Sequence, residues 1–161
     1  MMRDLLRQGE ALRWQRRYAE AAAVFEDVAR QAQAAGEEDA LADALAWLAI
    51  VLGLARASDE DRSDLLSLQE QALAIDLRNH GDSHPRVADG LRAMAATLEK
   101  MGRSSEAIER LSRAAAVLRA HGNPSFCMED TLARLESLLH ERGAYQDAID
   151  VARELIVVCE H

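Results

Sequence analysis

His80 and His84 stand four residues apart, the spacing at which one face of a helix offers two ligands to a metal ion. Gly81 lies between them and Pro85 follows, so a regular helix through both is not expected and the pair reads as part of a turn. His140 and Glu141 fall at an expected helix end, where an imidazole interacts with the helix dipole. Cys127 and Cys159 show no CxxC spacing and no histidine close in sequence that would make a nucleophile pair. They read as buried, reduced, inert thiols. No P-loop, no GxGxxG and no GxSxG occurs. The acidic residues are spread over helix faces, where pairing with basic residues keeps a surface soluble without acid–base work. The expectation is a non-enzyme with no catalytic residue, no cofactor and no metal.

The 161 residues suffice for one domain with a core, and 49% of them are hydrophobic. Aromatics make up only 4%, and Ala and Leu dominate the apolar set, a mixture that becomes helical at little entropic cost. Outside Ile156-Val157-Val158, runs of β-branched residues are nearly absent, as they would not be in a sheet protein of this size. The formal charge of −9 repels nucleic acid and anionic lipid on average; Arg13, Arg16 and Arg17 form a local basic exception. No stretch has the length of a membrane span, and the N-terminal residues lack the apolar core of a signal peptide. A cytoplasmic protein with neither nucleic acid nor membrane as partner is expected.

Apolar residues at three- and four-residue spacing predict eight helices, over 2–16, 19–35, 38–56, 60–79, 85–101, 104–121, 126–142 and 145–160. Leu41, Ala44, Leu45, Leu48 and Leu52 mark the third, Val87, Leu91, Met94 and Leu98 the fifth. Gly36, Gly81 and Gly122 follow helix ends, where a left-handed residue is wanted. Ser58 with Asp61 three residues later reads as a capping sequence. Pro85 and Pro124 sit beside helix starts.

The segments recur in pairs. Arg17-Tyr18-Ala19-Glu20-Ala21 returns as Gly102-Arg103-Ser104-Ser105-Glu106-Ala107 and as Ala144-Tyr145-Gln146-Asp147-Ala148. Arg62 and Leu65 occupy the matching places in a degenerate second copy. Anchored on Tyr18, Arg62, Ser104 and Tyr145, the steps are 44, 42 and 41 residues. Together with Gln71-Ala72-Leu73-Ala74-Ile75 and Gly81-Asp82-Ser83-His84-Pro85-Arg86-Val87-Ala88, the pattern resembles a kinesin-light-chain-type tetratricopeptide repeat. That type runs to about 42 residues, against about 34 for the ordinary repeat. The resemblance spans essentially the whole chain as four repeats, roughly 2–36, 38–81, 84–122 and 125–161, in a single domain. It is clearest in the third and fourth and weakest in the second. It implies an all-α, right-handed α-α solenoid of about four tetratricopeptide-like helix pairs, with the first helix of each pair on the concave side. Carried over by position, the small residue at the helix crossing is Gly9, Gly53 or Ala95, with Glu136 departing. The small residue early in the second helix is Ala21, Ala107 or Ala148, with Leu65 departing. The large residue one turn later is Phe25 or Leu111, with Gln69 and Ala152 departing; the next inward residue is Val28, Ala72, Ala114 or Leu155.

The register turns Arg3, Arg7, Glu10, Arg13 and Trp14 of the first helix toward the groove, and Trp47, Ile50, Val51 and Leu54 of the third. Asp89, Arg92, Ala96, Glu99 and Lys100 follow from the fifth, and Asp130, Arg134, Ser137, His140 and Glu141 from the seventh. Trp and Arg are the types that most often anchor interfaces. Arg13, Trp14, Trp47, Ile50, Leu54 and Arg92 are therefore the candidate protein-binding residues, for a peptide or helix with some acidic character. Two readings stay open for the tryptophans: groove anchors, or fillers between adjacent repeats. In the last helix, Leu155 to Cys159 are five apolar residues in a row and run most of the way round its circumference. Leu155, Ile156 and Val158 are the candidates for self-association as a homodimer. The functional expectation is a scaffold or adaptor that binds a protein segment in its concave groove. The alternatives are a small acidic tetratricopeptide chaperone for a secreted substrate, and a regulatory module of a larger enzyme complex.

Overall fold

The computed structural model describes residues 2–55, 59–121 and 126–159. Among these, every regular element is a helix: α1 (Met2–Trp14), α2 (Tyr18–Ala35), α3 (Glu38–Ala55), α4 (Asp59–His80), α5 (Pro85–Lys100), α6 (Ser104–His121), α7 (Phe126–Glu141) and α8 (Tyr145–Cys159). They fall into two compact units, Met1–His80 and Gly81–His161. In the first, α2 packs on both α1 and α3, and α3 packs on α4. In the second, α6 packs on both α5 and α7, and α7 packs on α8.

The turn inside three of the hairpins is one motif used three times. After α1 the amide of Arg17 donates to the carbonyl of Leu12 at 3.0 Å; Arg103 to Leu98 after α5 and Ala144 to Leu139 after α7 repeat it at 2.9 Å. Such a reversal needs one left-handed residue. Gly102 and Gly143 supply it at φ 72° and 77°, while the first hairpin forces Arg16 to φ 61°. In two of these turns an arginine then grips a glutamate three residues on. The Arg17 guanidinium meets Glu20 at 2.5 and 2.7 Å, and that of Arg103 meets Glu106 at 2.6 Å on both oxygens. The hydrogen bond from the arginine holds each glutamate carboxyl below its ordinary pKa. At the entry to α5, His84 accepts the amide of Arg86 on Nδ1 at 3.3 Å, with Pro85 in the first helical turn. His80 instead lies 3.1 Å from Asp39. The two histidines therefore serve a helix cap and a link from α4 to α3. Ser58, Gly122 and Pro124, expected as punctuation, lie outside the described residues.

Burial follows the repeat register. Ala21, Phe25, Val28, Ala95, Ala107, Leu111 and Ala114 are fully buried, and Ala72 and Ala148 nearly so. Gly9 makes a tight crossing: a Cβ there would lie 2.6 Å from Cε1 and Cζ of Phe25. At Gly53 the nearest atom would be Leu65 Cδ1, the mobile end of a side chain, at 3.3 Å. Gly9→Ala is expected to destabilise the fold by about 1–3 kcal/mol, the usual penalty for overfilling a core. Gly53→Ala is expected to be neutral or stabilising, because alanine gains up to about 1 kcal/mol over glycine inside a helix. Arg16→Gly is expected to stabilise by about 1 kcal/mol by relieving its left-handed backbone. Thermal or urea denaturation of the three variants beside the parent reads all of these.

Candidate protein-binding surface

In the first unit α1 ends where the middle of α3 passes, and the two tryptophans meet a single arginine there. The Arg13 guanidinium carbon lies 4.2 Å from the ring centroid of Trp14 and 5.2 Å from that of Trp47. Both distances suit a cation–π contact. Trp47 is half-buried and stacks on Phe25, with centroids 6.0 Å apart and ring planes 11° from parallel. The stack is thus anchored in the cluster of Ala21, Ala22, Phe25, Leu48 and Val51. Trp14 is 74% exposed. The Nε of Arg13 is buried and has no hydrogen-bond partner, so the aromatic faces are what hold this cation. Ile50 and Leu54 lie one and two turns beyond Trp47 and are 37% and 50% exposed. Val51, expected to face the groove, is instead fully buried against Phe25. One turn along an α-helix is 3.6 residues, and this single position of drift carries Val51 into the core.

The second unit treats the matching face differently. Arg92 on α5 meets Asp130 on α7 at 2.6 Å and Asp89 on its own helix at 3.2 Å, and its side chain is only 19% exposed. Burial works against its charge. The hydrogen bond that Arg92 donates to Asp130, the nearby Cys127 and the two carboxylates outweigh burial and leave its pKa raised. Arg134 on α7 likewise pairs with Glu99 on α5. The charges of this face are thus largely spent on one another. Arg92 belongs to an α5–α7 ion-pair network, whereas Arg13, Trp14, Trp47, Ile50 and Leu54 share one surface in the other unit.

On α8, Ile156 is exposed, whereas Leu155 and Val158 are half-buried. Cys127 is half-buried and Cys159 exposed, so neither is the fully buried thiol expected. No group of three or more His, Cys, Asp or Glu that could hold a metal occurs among the described residues. No described helix is long and apolar enough to cross a membrane.

Residues 46–120 match the family model for the tetratricopeptide repeat. Among solved structures, kinesin light chain TPR-like repeats from Podosopora anserina superpose with a TM-score of 0.82 at 16% identity, over 98% of this chain and 74% of that one. BtubC (BKLC) from P. vanneervenii superposes with a TM-score of 0.85 at 17% identity, over 95% of this chain and 61% of that one. No curated protein matches the sequence. Residues 46–120 are thus of the tetratricopeptide-repeat type, and the fold of the chain is that of the all-α, tetratricopeptide-like solenoids. Repeats of this type commonly mediate protein–protein interaction.

The two tryptophans separate by stability. Trp47→Ala removes the Phe25 stack and one face of the Arg13 contact, and a loss of about 2–4 kcal/mol is expected. Trp14→Ala removes a ring that stands mostly in solvent, and a change under about 1 kcal/mol is expected. Chemical denaturation of the two variants checks the contrast.

Proposed function

We propose that the chain is a non-catalytic adaptor which binds a protein segment on the surface formed by α1 and α3 of the first unit. The observation that carries this reading is Trp14: a large, rigid aromatic held in place by Arg13 yet 74% exposed. A soluble protein gains little from a tryptophan so displayed unless something covers it. Ile50 and Leu54 extend the same surface with apolar area, and Arg13 gives it a positive centre in a chain of net charge −9. The segment that fits is apolar with some acidic character, and the Arg13 guanidinium is the group that meets its carboxylate. Arg92, engaged by Asp130 and Asp89, plays a supporting part by holding α5 to α7. The expected setting is the cytoplasm.

The test is affinity capture from cells of the native host, followed by titration of the captured protein against Trp14→Ala, Arg13→Ala and the parent. Loss of about 2 kcal/mol or more on truncating Trp14, roughly 30-fold in Kd, is the expected result, since that is the size of an interface hot spot. The melting temperature should stay at the parent value. A partner that binds the Trp14→Ala variant as tightly as the parent would sink the assignment of this surface.

A further inference from the structure

The last helix shows to solvent a stripe that its counterparts hide. On α8, Tyr145, Ile149, Ala152, Ile156 and Cys159 follow one another at steps of four, three, four and three residues, the spacing of a helix–helix seam. Tyr145 is 60% exposed, Ile149 46% and Ile156 59%. The repeat register maps Ile149, Ala152, Ile156 and Cys159 onto Ala22, Phe25, Ala29 and Ala32 of α2, and onto Ile108, Leu111, Ala115 and Leu118 of α6. Ala22, Phe25, Ala32, Leu111, Ala115 and Leu118 are all buried, where α2 packs against α3 and α6 against α7. The position of this stripe is therefore one that the fold covers with an antiparallel helix.

We propose that the covering helix is α8 of a second copy, laid antiparallel across Ala152. The stripe reads almost alike in both directions. From Ala152, isoleucines lie three and four residues away, and Tyr145 and Cys159 lie seven away on either side. A two-fold axis near Ala152 lets the helices approach at their smallest residue and sets each isoleucine against the other copy's stripe. The flank is balanced in charge. Arg153, whose side chain is 73% exposed, binds its own Asp150 at 3.2 Å, so the two arginines that meet across the two-fold each bring their own counterion. The half-burial of Leu155 and Val158 moves the centre of the expected self-association surface onto the exposed Ile149 and Ile156, with the half-buried Ala152 between them. One helix stripe covers less than the roughly 800 Å² per partner of a standard interface, so the dimer is a reversible, micromolar one. Two copies of charge −9 repel, so added salt should tighten it. This surface is separate from that of Trp14, and either can fail without the other.

Sedimentation velocity on the full chain between about 5 and 500 μM brackets the affinity of so small an interface. A reversible shift from monomer to dimer is expected. In Ile149→Glu/Ile156→Glu the dissociation constant should rise at least about tenfold, because each new carboxylate would be buried on pairing. Val157→Glu, exposed but off the stripe, should dimerise as the parent does; circular dichroism confirms that all three fold. A nitroxide on Gln146→Cys, in a Cys127→Ser/Cys159→Ser background, reads orientation. Antiparallel helices put the two labels on the order of 20 Å apart at 1.5 Å per residue, whereas parallel helices bring them side by side. A strict monomer at the highest concentration, a dimer indifferent to the isoleucine changes, or adjacent labels would each overturn the proposal.

Discussion

A helix hairpin cannot bury all the apolar surface it carries. Its second helix rests one stripe on its own first helix and needs a further helix for the other. In α2 both stripes are served: Phe25 lies across Gly9 of α1 on one side and stacks on Trp47 of α3 on the other. That ring is completely buried, with α1 and α3 sharing in its cover. The same dependence holds α6 between α5 and α7. Stability in such an array resides in interfaces between neighbours, and the tightness of one crossing is passed to the next through the large residue they share.

Much of this was legible in the chain because the rules involved are local. Glycine after a helix, proline at its first turn and apolar residues at three- and four-residue spacing each act within one or two turns. The eight expected spans accordingly fall within a few residues of the observed helices. The crossing residues were legible for a related reason: a repeat writes the same packing several times, so Ala21, Ala107 and Ala148 identify one another. Arg16 was harder. Its partners Gly102 and Gly143 announce the left-handed turn, but an arginine carries no such signal, and only the shared backbone reveals it.

The surface was legible in part. The register brought Arg13, Trp14 and Trp47 to one face, but it could not say that Arg13 lies over both indoles, since that depends on how closely α1 approaches α3. Val51 was misplaced because a stripe four residues wide on α3 straddles the edge of the core, and Phe25 decides where that edge falls. The pairing of Arg92 with Asp130 joins residues 38 apart in sequence. No spacing rule within a single helix reaches that far, whereas the i,i+3 pairs Arg17–Glu20 and Arg103–Glu106 can be read directly from the text.

The contrast between the two matching faces bears on what a repeat fold can be made to do. The backbone offers each pair of first helices the same exposed positions, and the side chains settle how they are used. Across α5 and α7, Arg92 and Arg134 find carboxylate counterions within the unit, and these two cations keep little attraction for an outside molecule. Across α1 and α3, the carboxylates give way to indoles. A guanidinium on an aromatic face is held in place yet keeps much of its capacity to donate, because π faces do not saturate its N–H groups as a carboxylate fork does. Replacing a counterion by a ring thus fixes a cation without neutralising it. By that exchange the two units put matching backbone positions to different use.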